Sequence, residues 1–332
     1  MAATGKGIGL TIYQNGGGGG LDVTQLVESI TWAGRRGSPT RTLTATLLDD
    51  DGYWHERSGI DVEEGWQCIL QYDGQELFRG IFMTQDTSQA KTVTLKAYDN
   101  AIYLSNNRDT FVYESKTASD IFSDVCSRFG LPTGDVAGCS YSIPDHVKKK
   151  ATGWDTIADA LSLEFKNTGT RFFVLSDKGS ICLRKKQENI VQWVLETGAN
   201  VSKYKLSKSI ENVRTRIKLL SDEGTVLAQA SDGGLESKIG IMQEVETPDE
   251  TLNSAQLNAL ANSLLNEKKT PQRTLALNDL LGSVEIVAGV GVFVKIPHIN
   301  IGRSLYVDSD THTFKDRRHT MSVNLSWAAD IS

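Results

Sequence analysis

Hydrophobic and polar residues alternate with period two through the first hundred positions. Ile8, Leu10 and Ile12 fall on one side of a strand. In Thr42-Leu43-Thr44-Ala45-Thr46-Leu47, three threonines oppose three apolar residues. Trp66, Cys68, Leu70 and Tyr72 repeat the pattern, as do Val93, Leu95 and Ala97. Such alternation predicts half-buried strands of an antiparallel sheet or barrel. Asp73-Gly74 predicts a hairpin turn between two of them.

The period changes near Ser115. Ile121, Phe122, Val125, Cys126 and Phe129 follow helical spacing, and Gly130 with Pro132 ends that helix. A second helix begins after Thr152, with Trp154, Ile157, Ala158 and Leu161 as its stripe and Thr152/Asp155 resembling a capping box. Next, "RFFVLS" and "SICLRK" flank the turn Asp177-Lys178-Gly179. Residues 111–190 therefore read as a small α+β insert between β regions at 1–110 and 191–332.

Strands return from Asn212, where "VRTRIKLL" and "GTVLAQA" flank Asp222-Glu223-Gly224. One long helix, about 254–268, interrupts them. Leu257, Leu260, Ala261, Leu264 and Leu265 form its face, Asn253 and Gln256 its capping box, and Lys268-Lys269 its basic end. Pro271 stops it. In the last sixty residues Val290, Val292, Val294 and Ile296 alternate with polar or small neighbours, as do Met321, Val323, Leu325 and Trp327. "FKDRRH" reads as a hairpin tip. "GWQCIL" at Gly65 is echoed by "GVGVFV" at Gly289, and an Asp-Thr pair follows 21 residues after each glycine, at Asp86 and Asp310. The equal spacing predicts a duplicated β-domain.

Composition adds bounds. The 332 residues exceed one small core and suggest two or three domains. A net charge of −6 argues against a surface built to grip phosphates. The clusters Lys148-Lys149-Lys150 and Arg184-Lys185-Lys186 read as solvated faces or turns. Four cysteines, Cys68, Cys126, Cys139 and Cys182, lack metal spacing, and Cys68 and Cys126 read as reduced core thiols. The first residues do not have the pattern of a signal peptide, and no apolar run is long enough to cross a bilayer. A reducing cytoplasm is the expected place of folding.

Candidate chemistry is thin. Gly16 to Gly20 invites a phosphate-loop reading, but that chemistry needs a lysine and a hydroxyl after the glycines. No Lys or Arg lies between Tyr13 and Trp32, so the tract is expected to be a pliable hairpin tip. Ser88-Gln-Ala-Lys91 matches SxxK without its partner motifs. His55, His146, His298, His312 and His319 have no metal-binding spacing; His312 and His319 are expected to face each other across the last hairpin as a solvated pair. Asp49-Asp50-Asp51 reads as a polar loop, and neither it nor Asp308/Asp310 has the order of a calcium loop. Tyr53 and Trp54 read as core or interface anchors rather than a sugar platform. No catalytic, cofactor-binding or metal-binding residue is nominated, and no cofactor is expected.

The order of segments carries a resemblance. "LVESITWAGRRGSPTRTLTATLLDDD", "IDVEEGWQCILQYDGQELFRGIF", "VTLKAYDNAIYLSNNRDTF" and "TASDIFSDVCSRFGLPTG" are followed by "GWDTIADAL", "FFVLSDKGSICLR", "SIENVRTRIKLLSDEGTVLAQA" and "QLNALANSLLNEKK". This succession resembles the baseplate hub proteins of contractile phage tails, in the branch from phages, defective prophages and tailocins of Gram-positive bacteria. The resemblance implies a mainly β chain with two related tail-tube-type β-barrel domains, a small α+β domain and one long helix. It implies a homotrimeric ring that joins a sixfold tail tube to a threefold spike and contacts other baseplate proteins. DNA or the tape-measure protein would pass through the channel, and the chain itself would not insert into a membrane. Because the chain ends at Ser332 just after its last strand, spike and lytic activity are expected in separate proteins. The acidic balance predicts a neutral or acidic lumen. The polyglycine tract is outside the family pattern. Two other readings stand beside this one: a peptidoglycan hydrolase acting during injection, and a carbohydrate- or receptor-binding β-module.

Overall fold

A computed structural model describes residues 7–14, 18–48, 62–89, 92–186, 190–248 and 252–327. The expectations for Gly16, Asp49-Asp50-Asp51, Tyr53, Trp54, His55 and Lys91 lie outside the described residues, as does the Ser88 side chain.

The chain is mostly β. It begins with β1 (Ile8–Tyr13), β2 (Leu21–Asp22), β3 (Val27–Arg35), β4 (Thr42–Leu48), β5 (Gln67–Tyr72), β6 (Gln75–Ser88) and β7 (Thr92–Asp99). Then come α1 (Ile102–Asn106), β8 (Arg108–Thr117), α2 (Ala118–Arg128), β9 (Thr133–Val136), β10 (Ser142–Thr152), α3 (Gly153–Thr168), β11 (Phe172–Asp177), β12 (Ser180–Lys185) and β13 (Ile190–Glu196). β14 (Lys203–Ser209), β15 (Arg216–Leu220), β16 (Val226–Ser231), α4 (Gly233–Ile239), β17 (Gln243–Glu246) and α5 (Ser254–Lys268) follow. β18 (Gln272–Leu281), β19 (Gly291–Ile296), β20 (Ile301–Lys315) and β21 (Arg318–Ser326) complete it.

The chain divides into two compact units, Met1–Tyr204 with Leu277–Leu325, and Lys205–Ala276 with Ser326–Ser332. A large sheet has the order β14-β18-β21-β20-β3-β4-β7-β6-β5-β1-β2, with β19 beside β20 and β13 beside β19; most of it lies in the first unit, while residues 205–209 of β14 and 272–276 of β18 belong to the second. The strands repeat one order of pairing: β3-β4-β7-β6-β5 in the first half and β14-β18-β21-β20-β19 in the second. Within each half these strands also follow the same chain order. The outermost strands differ, because β1 is antiparallel to β5 while β13 is parallel to β19.

Among the described residues no barrel closes. Closure needs the first and last strands of a half to pair, and here β20 takes the outer edge of β3 instead. The Asp-Thr pairs are also not equivalent. A register shift between Phe82 and Thr84 puts Asp86 opposite Thr94 on the exposed face, while Asp310 is buried.

Local chemistry sets the turns. Asp73 and Gly74 both have positive φ, +51° and +77°, the conformation that a two-residue hairpin needs. Asp316 and Arg317, at +52° and +58°, do the same between β20 and β21. The alternating apolar residues make one core: Leu10, Ile12, Ile30, Trp32, Leu43, Ala45, Leu47, Cys68, Leu70, Phe78, Phe82, Val93, Leu95 and Ala97, joined by Phe314 from β20.

A second core in the same unit holds Phe111, Tyr113, Ile121, Phe122, Val125, Cys126, Ile157, Ala160, Ile181 and Leu183. Here α2 and α3 pack with the β8–β10 ribbon and the sheet of β11, β12 and β9. Thr117 caps α2 in a capping box with Asp120, and Thr152 Oγ1 accepts from Asp155 N, 2.9 Å, at the start of α3. Glu164 on α3 is fully buried, and its carboxylate accepts from Ser140 N and Tyr141 N at 3.1 and 2.9 Å.

The second unit is a sheet of order β16-β15-β17 with α5 against it. Leu257, Ala261 and Leu265 meet Ile217, Leu219, Ala228 and Ala230. Asn253 accepts from Gln256 N while the Gln256 side chain accepts from Asn253 N, which closes the predicted box. Lys268 pairs with Glu246 at 3.0 Å and also bonds Glu244.

Candidate functional site

Two features of the large sheet qualify: the polar node where the halves meet, and the face turned away from the core. The halves meet along β20 and β3, which pair antiparallel from Ser309↔Arg35 to Lys315↔Ser29. Inside this seam the Arg41 guanidinium forks onto Asp310, with Nη1 donating to Oδ1 at 2.9 Å and Nη2 to Oδ2. Arg41 also lies 4.0 Å from the centroid of the Trp32 ring. Ala288 N donates to Asp310 Oδ1 at 2.6 Å. Burial alone would raise the Asp310 carboxyl; the Arg41 charge, with His312, outweighs it and holds the group at about 2. Arg41 N donates to Asp99 Oδ2 and Ala101 N to Asp99 Oδ1, at 2.9 and 3.0 Å. Burial dominates at Asp99 and lifts it to about 7 despite those donors.

His312 and His319 do face each other, with Nδ1 and Nε2 3.0 Å apart. They are not solvated, however. His312 is fully buried, and His319 is half-buried, stacked on Phe314 with Gly282 against its ring. Apolar rings exclude water there, while Ile286 O and Asp310 Oδ2 lie 3.1 and 3.3 Å from His312 Nε2. Two acceptors at Nε2 place a proton there. His312 Nδ1 then accepts from His319 Nε2, and His319 Nδ1 is left as a buried lone pair without a partner. Burial, then the neighbouring His312, lowers His319 to about 4.

The solvated reading also fails at Lys186, which is buried with its ammonium 3.9 Å from the Tyr306 ring centroid. Burial and the cations Arg36 and Arg171 push it down to about 7. Lys148 pairs with Asp159 at 2.6 Å, and Lys149 and Lys150 are exposed on β10.

None of the expected candidates assembles into a reactive centre among the described residues, and no group of three or more His, Cys, Asp or Glu stands ready for a metal there. His146 bonds Thr156 O, His298 bonds the Tyr204 hydroxyl, and Asp308 pairs with Arg36 at 3.0 Å. All four cysteines are free; Cys68, Cys126 and Cys182 are buried, and burial raises Cys126 to about 12, an unreactive thiol. Gly18 to Gly20 are exposed between β1 and β2.

The face opposite the core is dense in hydroxyls. Residues directly opposite in antiparallel strands point to one side. One row reads Thr313, Thr31, Thr44, Lys96, Thr84 across β20, β3, β4, β7 and β6. The next reads Lys315, Ser29, Thr46, Thr94, Asp86. Two lysines and one aspartate stand among these ten side chains, a net charge of +1, and six of the other seven are threonines. The threonine alternation in "TLTATL" signalled this face; nothing local signalled Arg41, Asp99 or Trp32 as parts of a node.

Comparison with known proteins gives the context. The YQBQ-like family model matches residues 30–326. The Phage-like element PBSX protein XkdQ of Bacillus subtilis (strain 168) is 33% identical over 303 residues, covering 90% of this chain and 92% of that protein. The 43 kDa tail protein of prophage MuSo2 from Shewanella oneidensis superposes with a TM-score of 0.72 at 13% identity, over 97% of this chain and 98% of that one. The E. coli c3393 protein, described as a type VI secretion component with structural similarity to T4 tail proteins gp27 and gp5, gives 0.54 at 10% identity, over 91% and 74%.

Proposed function

The chain belongs to the YQBQ-like family, and from that premise we propose that it is the hub of a contractile-tail baseplate. The coarser part of this reading is a structural tail component, supported by a relative from a phage-like element and by fold neighbours that are a prophage tail protein and a type VI secretion component similar to T4 tail proteins. In the finer reading three copies form a ring that joins a sixfold tube to a threefold spike. Each half of the chain, 1–110 and 191–332, supplies one tube-type β-domain, and the segment 111–190 and the helix at 254–268 contact other baseplate proteins. The observation that carries this is the repeated strand order, two tandem copies in one chain, which lets three chains present six similar units. The hydroxyl face is the natural wall of the channel. A hydroxyl-rich wall of low net charge lets DNA or the tape-measure protein slide with little of the counterion release that makes strongly basic surfaces sticky.

The test is mass by light scattering or native mass spectrometry, alone and with the cognate tube and spike proteins. A trimer is expected. A chain that stays monomeric at every concentration and with both partners refutes the hub. A cell-wall turnover assay runs alongside, and robust activity lost on replacing one Asp or Glu would overturn the structural role.

A further inference from the structure

Each repeat has an edge that takes a strand, and the chain fills only one of the two. β20 pairs with β19 over Ile301 to Tyr306, and its later residues, Ser309 to Lys315, take β3. The equivalent strand is β6. It pairs with β5 up to Ile81, and Phe82 continues the ladder to Trp66 and Gly65. Beyond that point Thr84 to Ser88 pair with β7 on one side, and among the described residues no strand takes the other side. Open, unpaired edges invite another strand.

The counterpart of β3 in the second half is β14, and β14 is itself an end of the sheet, with β18 on one side only. Every other step of the tandem order is satisfied within the chain. We infer that the open edge of β6 takes β14 of a second copy, antiparallel, as β20 takes β3 within one copy. The inference rests on the ring reading for the number of copies and adds to it which strands form the joint.

Charge agrees with the pairing. β14 carries Lys203, Lys205 and Lys208, all exposed. Edge lysines discourage promiscuous pairing, and Asp86 stands exposed on the open stretch of β6. The seam already present shows the same pattern, with Arg36 on Asp308 at 3.0 Å and Lys315 on Glu28 at 3.6 Å. Because β6 and β14 are different strands, the contact can repeat head-to-tail from copy to copy, and three copies close it into the ring of the proposed function.

Paired cysteines test this. Asp86→Cys is combined in one chain with Lys205→Cys or with Ser207→Cys, in a Cys139→Ser background, and oxidised mildly. Asp86, Lys205 and Ser207 are all exposed, so the substitutions spare the core. For at least one pair, most of the protein should shift from one-chain to three-chain mass on a non-reducing gel. Mixing the two single variants should give dimers and nothing larger. A trimer by light scattering without interchain disulfides at either pair overturns the β6–β14 joint and leaves the ring standing. A persistent monomer overturns both. Efficient dimers from Lys205→Cys alone point to a symmetric β14–β14 contact and also overturn the joint.

Discussion

Replacing Arg41 by methionine removes the fork and keeps most of the side-chain volume. The Asp310 side chain is 0% exposed and that of Arg41 11%, so the pair is desolvated. Breaking a buried pair from one side costs about 3–5 kcal/mol, because the remaining charge stays buried without compensation. Asp310 would keep two donors, Ala288 N and His312 Nε2. That argues for the lower end, about 3 kcal/mol. With a urea slope of about 2–3 kcal/mol/M, the unfolding midpoint should fall by roughly 1 M. Tryptophan fluorescence suits the measurement, since Trp32 lies directly against the lost group. Asp310→Asn should cost about 2 kcal/mol, and the double variant less than the sum by about 1–2 kcal/mol, the signature of residues in direct contact. The pH dependence has a definite sign. In the native chain the folded carboxyl is held at about 2, below its unfolded value near 3.9. Its stabilisation is therefore complete above roughly pH 4 and is lost as pH falls toward 2. In Arg41→Met the guanidinium charge is gone and only the Ala288 and His312 donors oppose burial, so the folded value rises above the unfolded one and acid relieves the penalty. The gap between variant and native midpoints should narrow from pH 7 to pH 4. A loss under ~0.3 M with additive single effects, or a gap that widens in acid, would falsify this account.

Lys186→Met should leave stability unchanged or raise it at pH 7, because it replaces an ammonium that burial and two arginines already disfavour; thermal unfolding reads the difference, and a clear drop contradicts it. Gly282→Ala would drive a Cβ into the His319 ring and should cost about 1–3 kcal/mol, whereas Gly19→Ala meets nothing within 4 Å and should be neutral within about 0.5 kcal/mol. The folded His319 is held below its unfolded value, so the native protein should lose stability as pH falls from about 6.5 toward 4, and His319→Gln should flatten that slope. Glu164→Gln should cost about 1–3 kcal/mol in chemical denaturation, since an amide nitrogen would face buried N–H donors.

What the sequence made legible is what short-range chemistry decides. Helix α5 runs from Ser254 to Lys268 as predicted, because the Asn253–Gln256 box and Pro271 act within a turn of each end. The turns at Asp73-Gly74 and Lys178-Gly179 need positive φ and have residues that accept it. The β8–β10 ribbon was not legible. Its ladder slips between Lys148 and Ala151, and Lys150 sits at φ +54°, which breaks the alternation that announces a strand. Helix α4 is only seven residues long and buries none of them, so it has no apolar stripe to read. The polar node was invisible for a different reason. Arg41 and Asp310 are 269 positions apart, and each looks like a solvated charge on a strand until the other arrives. The same holds for Lys186, whose cover is Tyr306.

The β20–β3 seam has a consequence in time. β3 is complete when the ribosome has made about a tenth of the chain, and its partner emerges nearly 300 residues later. At roughly 5–20 residues per second the β3 edge stays bare for tens of seconds in each round of translation. During that interval neighbouring nascent chains on one message expose identical edges at high local concentration. Slowing elongation between codons 36 and 300 should therefore raise the yield of aggregated or strand-swapped product, even though the finished molecule would be unchanged.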